Sequence, residues 1–127
     1  MYEKAEIKER KQIALKFHCV NISSKGPKAL AVFYRAIGAP VFVENDRYDD
    51  WKIGDPKKGG SVCIWDENRW GKSTAGHITI VLNADDVQST YEEIKSRGIE
   101  TDPPKTADWG GKELVLRDPD GNIVMIL

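Results

Sequence analysis

Apolar and polar residues alternate along this chain in a pattern that occurs twice. From Ile13 to Ile22, Lys16, His18, Val20 and Ile22 fall on one side and Leu15, Phe17, Cys19 and Asn21 on the other, which predicts a strand. Ser23 to Gly26 turn the chain. Pro27 suits the first position of a helix, and Leu30, Phe33, Tyr34 and Ile37 then recur on one helical face until Gly38 ends it. Ala39 to Glu44 and Trp51 to Ile53 read as short strands separated by the polar stretch Asn45 to Asp50. A turn over Pro56 to Gly60 leads to a fourth strand, Ser61 to Trp65.

The second half repeats this plan. In the strand Gly76 to Asn83, His77, Thr79 and Val81 face one way and Ile78, Ile80 and Leu82 the other. Asn83 or Asp85 caps the next helix, which takes its apolar face from Val87, Tyr91 and Ile94 and ends at Gly98. A Pro-containing strand near Thr101 to Lys105 and a loop over Thr106 to Gly110 precede a terminal hairpin. Its turn is Asp118-Pro119-Asp120-Gly121-Asn122, where Pro119 presets φ for a type I turn and Gly121 supplies the left-handed residue that returns the chain. Ile123, Met125 and Leu127 share one face of the last strand, Val124 and Ile126 the other. His18 precedes Gly38 by 20 residues and His77 precedes Gly98 by 21, so two βαβββ modules are predicted, over about 13–70 and 76–127, in an α+β domain behind an N-terminal extension, 1–12.

Composition narrows the partners. At 127 residues the chain suits one domain, and a net charge of −1 from 19 basic and 20 acidic residues gives no electrostatic footprint for nucleic acid or an anionic membrane. The charged stretch Met1 to Gln12 has no apolar segment of a signal peptide, no run approaches a membrane span, and the expected location is cytoplasmic. Cys19 and Cys63 lie in strand-like runs and read as reduced, packed thiols.

His18 and His77 are the only histidines, and they open the first strands of both repeats. Because Ile78, Ile80 and Leu82 must meet the helix, His77 and Thr79 belong to the opposite face, the candidate cleft. Two imidazoles can begin a transition-metal site, but carboxylates or thiolates normally complete it.

A strand opening with His, a helix carrying Phe33-Tyr34 and ending Ile37-Gly38, the strand start Gly76-His77-Ile78, and the closing Asp118-Pro119-Asp120-Gly121-Asn122 together resemble the vicinal oxygen chelate superfamily of glyoxalases, bleomycin- and fosfomycin-resistance proteins and extradiol dioxygenases. The resemblance spans roughly Ile13 to Leu127. It implies paired βαβββ modules whose mixed sheets curl around a cleft, commonly shared across a homodimer. In metal-using members each module's first and last strands supply ligands. His18 and His77 match the first-strand positions, whereas the last-strand Glu of the second module is replaced by Met125, and the corresponding place in the first module falls among Cys63, Ile64 and Trp65. Glu67, which shares the parity of Cys63 and Trp65, is the nearest acidic substitute, and a different donor could also enter from Glu113 or a second subunit.

The reading that follows is a protein without a certain cofactor. It binds a small organic ligand in a dimer cleft lined by His18, His77, Thr79, Met125, Cys63, Trp65 and Trp109, beside a degenerate metal site. The tryptophans, Trp51, Trp65, Trp70 and Trp109, suit stacking on flat ligands, with Trp51 and Trp65 also readable as strand core and Trp70 as interface. The alternative is a lyase, isomerase or dioxygenase whose Zn, Ni, Fe or Mn ion is held by His18 and His77 with an altered ligand set.

Overall fold

A parallel pair of strands needs a long crossover, and the first half of the chain is that crossover. Strand β1 (Cys19–Ser24) runs parallel to β4 (Ser61–Asp66), in register from Cys19 with Ser61 to Ser24 with Asp66. Between them lie helix α1 (Pro27–Ala36) and the antiparallel strands β2 (Val41–Val43) and β3 (Trp51–Ile53), which complete the sheet order β1-β4-β3-β2. The second module repeats the arrangement. Strand β5 (Thr79–Leu82) pairs in parallel with β8 (Ile123–Ile126), helix α3 (Val87–Ser96) crosses over, and β6 (Lys105–Thr106) and β7 (Lys112–Arg117) complete the order β5-β8-β7-β6. A four-residue helix α2 (Glu67–Trp70) links the halves. This computed structural model describes residues 14–43 and 51–127; the predicted extension 1–12 and the stretch Asn45 to Asp50 lie outside the described residues.

The predicted α+β fold is present as two unclosed four-stranded mixed sheets. Several boundaries differ from the periodicity. Residues 14–18 belong to no strand, and β1 runs on through Ser23 and Ser24, where the sequence pattern predicts a turn. Ser24 serves the turn from inside the strand, its hydroxyl accepting from Gly26 N at 3.0 Å. The α3 cap is Asp86 and neither Asn83 nor Asp85, because the Asp86 carboxylate reaches Ser89 N at 3.1 Å. The strand predicted near Thr101 to Lys105 shrinks to Lys105–Thr106, since Pro103 and Pro104 carry no N–H for a ladder.

One side of each sheet packs on its helix. Ile22, Ile53 and Ile64 meet Leu30, Ala31, Tyr34 and Ile37 of α1 and the residues just beyond it. In the second module, Ile80, Leu114, Leu116, Val124 and Ile126 meet Ile94, with Val87 and Tyr91 packed at the margin. The two modules are tied through the hairpin turn. Gly121, at φ 81°, donates to Asp118 O at 2.9 Å, and Asp118 N donates to Asn122 O at 3.0 Å, closing the predicted reversal. Four donors converge on the buried Asp118 carboxylate: the amides of Asp120 (3.0 Å) and Asn122 (2.9 Å), Asn122 Nδ2 (3.0 Å), and the Tyr34 hydroxyl of α1 at 2.7 Å. Asn122 in turn accepts from Ile78 N at 3.2 Å, holding the start of β5.

Burial and the neighbouring Asp118 raise the Tyr34 hydroxyl well above the ordinary tyrosine range. The folded state therefore keeps the Tyr34 proton at a pH where the unfolded chain has lost it. Stability linked to Tyr34 is complete below the unfolded pKa of about 10 and falls as pH rises beyond it. Tyr34→Phe is expected to lower unfolding free energy at neutral pH by roughly 1–3 kcal/mol, through the lost hydrogen bond to a carboxylate, and to flatten the alkaline decline. Urea unfolding at pH 7 and at pH 10 to 11 checks both; an unchanged alkaline slope in the variant would show that another group controls it.

Candidate functional site

Because α1 and α3 cover one face of each sheet, function must be sought on the other. On the first sheet this helix-free face carries Cys19, Asn21 and Ser23 from β1 and Ser61, Cys63 and Trp65 from β4, by strand alternation and register. Lys52 of β3 lies opposite Cys63, and Phe42 of β2 opposite Lys52, so Asn21, Cys63, Lys52 and Phe42 form one row across the sheet. The Asn21 side chain organises this face. Its Oδ1 accepts from Trp65 Nε1 at 3.0 Å and from the Cys19 thiol at 3.5 Å, fixing the indole against the sheet. Burial, with the adjacent Cys19 thiol, pushes the Cys63 thiol up to about 11, while Lys52 and Ser61 pull the other way.

The second sheet's helix-free face is different in kind. Register places Val81, Met125 and Val115 in one row and Thr79, Ile123 and Arg117 in the next. Val81 is 54 % exposed and Val115 47 %, beside the half-buried Met125, which makes an open apolar row on a sheet whose other face is core. Two open grooves border this sheet. One, about 1100 Å3, runs from the end of α3 past Pro103 to Val115 and Arg117; the other, about 710 Å3, lies between the end of α1 and α3 beside Val81.

The sequence-predicted residues are only partly gathered. Cys63 and Trp65 share the first sheet's free face, and Thr79 and Met125 share the second's. His77 is exposed and precedes β5 on the parity of Thr79 and Val81. His18 is exposed too, but its carbonyl continues the β1–β4 ladder, accepting from Ser61 N at 3.3 Å, which sets its side chain on the parity of Val20 and Ile22. The histidines, 20 and 21 residues before their helix-ending glycines, thus enter their strands on opposite parities. Trp109 lies in the β6–β7 loop with its ring against Gly111 and remains 63 % exposed. Trp51 packs on the core beneath Arg35, whose guanidinium lies 5.7 Å from its ring centre; the Trp70 side chain is outside the described set. Asn21, Val81 and Val115 were not singled out from the sequence. Val81 was signalled by its alternation with Thr79, whereas nothing local distinguishes Asn21.

The residues present do not fit the divalent metal centre that the resemblance allows. Met125, at the expected carboxylate position, stands between two valines, and the equivalent row of the first sheet offers an amide, a thiol, an ammonium and a phenyl ring. Glu67 leaves the strand to begin α2, and Glu113 lies opposite Lys105 on β6. Among the described residues no group of three His, Cys, Asp or Glu side chains could hold a metal ion.

A family model described as the Glyoxalase/Bleomycin resistance protein/Dioxygenase superfamily matches residues 16–126. Similar solved structures include TnmS3, an antibiotic-binding protein from Streptomyces sp. CB03234, at 18 % identity and TM-score 0.68, covering 91 % of this chain and 97 % of the other. A superfamily member from Sphaerobacter thermophilus is 22 % identical with TM-score 0.65, over 90 % and 96 % of the two chains. A bleomycin resistance determinant encoded on transposon Tn5 is 21 % identical with TM-score 0.61, over 91 % and 96 %. No curated protein sequence matches the chain.

The two thiols should differ in reactivity. Cys63 is buried and its thiol is pushed up to about 11, which disfavours the thiolate, whereas Cys19 is part-exposed. Reaction with a disulfide reagent such as dithionitrobenzoate is expected to show one fast and one slow thiol in the native protein and two fast thiols in guanidinium. Cys19→Ser should remove the fast phase; if it removes the slow one, the assignment is reversed.

Proposed function

The chain belongs to the glyoxalase/bleomycin resistance protein/dioxygenase superfamily, and on that premise we propose that it binds a small organic molecule on its helix-free sheet faces without a metal ion. The observation that carries this reading is the exposed row Val81–Met125–Val115, in which the position of a metal-binding carboxylate is apolar. Burying a side chain of this size contributes on the order of 1.5–3 kcal/mol, so covering such a row favours a flat or apolar ligand over a hydrated polar one. Trp65, held by Asn21, offers a preoriented aromatic surface on the other sheet. Thr79 and His77 supply polar contacts at the edge.

The similarity in fold to an antibiotic-binding protein and to a bleomycin resistance determinant supports sequestration as the activity. The net charge of −1 gives no particular preference for a cationic drug. In this reading two copies pair so that the exposed apolar row faces a partner and the ligand cleft is shared between them. The protein works in the cytoplasm, a reducing compartment that keeps Cys19 and Cys63 as thiols. No helix among the described residues is long and apolar enough to cross a membrane.

Tryptophan fluorescence should report binding. Anilinonaphthalene sulfonate and a panel of aromatic antibiotics that includes bleomycin are the probes, tested on wild type and on Val81→Asp. At least one probe is expected to bind at about one per chain or per pair, and the charge at position 81 to weaken it by about 10-fold or more, which is about 1.4 kcal/mol. Binding untouched by Val81→Asp would move the site elsewhere.

Calorimetric titration of metal-stripped protein with Ni2+, Zn2+, Fe2+ and Mn2+, beside His77→Ala, tests the metal-dependent alternative. Weak or nonstoichiometric heats are expected. Tight binding lost in the variant would replace this proposal with metal-dependent lyase or dioxygenase chemistry.

A further inference from the structure

The chain contains two cysteines, 44 residues apart, and the fold brings them to adjacent strands on one face. Cys19 pairs with Ser61 and Asn21 with Cys63, so the thiols are diagonal neighbours across the β1–β4 seam. Both are free, and Cys19 stands close enough to Cys63 to help raise its thiol. From this juxtaposition we propose that Cys19 and Cys63 form a two-thiolate site for a soft ion of low coordination number, with Cu(I) as the ion whose chemistry it fits.

The donor set makes the choice. Thiolates favour Cu(I), which is satisfied by two sulfur ligands. Zinc and nickel need further donors, and no third His, Cys, Asp or Glu completes such a group among the described residues. Asn21 holds the Cys19 thiol at 3.5 Å, on the same face as Cys63. A bis-thiolate Cu(I) centre carries one net negative charge, and Lys52, paired opposite Cys63, brings a positive charge near enough to favour the Cys63 thiolate. In the binding step two S–Cu bonds form, two S–H bonds break, two protons pass to solvent, and copper remains Cu(I) throughout. No oxidant or reductant is consumed. The site lies on the sheet opposite in character to the apolar row, and its existence does not depend on the organic ligand proposed above.

Anaerobic transfer from the coloured Cu(I)–bicinchoninate complex tests this directly, using wild type, Cys19→Ser and Cys63→Ser, each checked by circular dichroism. Wild type is expected to withdraw one equivalent per chain, and each variant to bind at least about 100-fold more weakly because a chelate has become a single thiolate. Retention within a few-fold in either variant, or no withdrawal by wild type, overturns the proposal. Should a variant fail to fold, the wild-type protein still decides: one equivalent of Cu(I) should protect both thiols from N-ethylmaleimide, as read by mass spectrometry. Alkylation of either thiol at the unloaded rate would reject a shared site.

Discussion

The carboxylate of Asp118 is the joint on which the two halves of the molecule depend. Asp118 as a residue is 95 % shielded from solvent, and a buried carboxylate is tolerated only when its lone pairs are met. Here the hairpin's own amides, the Asn122 side chain and Tyr34 from the other module meet them. Each partner is constrained in turn. Asn122 is fully buried and holds the first amide of the strand leading into β5, while Tyr34 is fully buried in the face of α1 that meets the first sheet. Removing one member would strand the others in a low-dielectric interior, so a turn of five residues governs the packing of a helix 84 positions away in sequence.

With that joint in place, the two modules share a backbone plan and differ in surface. Their helix-side faces are alike, both filled with isoleucine, leucine and valine, because packing on an amphipathic helix leaves few alternatives. Their helix-free faces have diverged. The first is polar and sulfur-bearing, organised by the Asn21 side chain and tied at Ser23 to the linking segment through Thr74. The second is an exposed band of valine and methionine. A scaffold that separates core from open face in this way can change its ligand without changing its stability, and the two faces can specialise independently.

Met125 illustrates how far one position can redirect such a face. On a strand whose neighbours are Val81 and Val115, a thioether adds polarizable apolar surface where a carboxylate would have added a hard ligand and a charge. The histidines follow the same logic from the other side. With no group of three metal-ligating side chains around them among the described residues, and lying on opposite strand parities, they are polar residues at strand entrances. Binding a hard divalent ion needs several donors to converge, and among the described residues no three His, Cys, Asp or Glu side chains do so.

Much of the architecture was written locally. The alternation of Thr79, Ile80, Val81 and Leu82, the face formed by Leu30, Tyr34 and Ile37, and the Pro119 and Gly121 of the terminal turn each act over a few residues, so strands, helices and hairpin were legible one by one, and the repeat of their order gave the two modules. Boundaries were less legible where a side chain, and not periodicity, decided them, as at Ser24 and Asp86. The candidate site was legible in composition but not in arrangement. Met125 announced the missing carboxylate from its place after Gly121, and the parities of His18 and His77 follow from local alternation, yet which side chains stand beside them across each sheet is set by parallel registers with strands tens of residues away. The sequence by itself determined which faces would be buried, because burial follows local period. Which side chains became neighbours, Tyr34 with Asp118, Cys19 with Cys63 and Val81 with Met125, was decided only by tertiary structure, because register and module packing are long-range choices that no local pattern encodes.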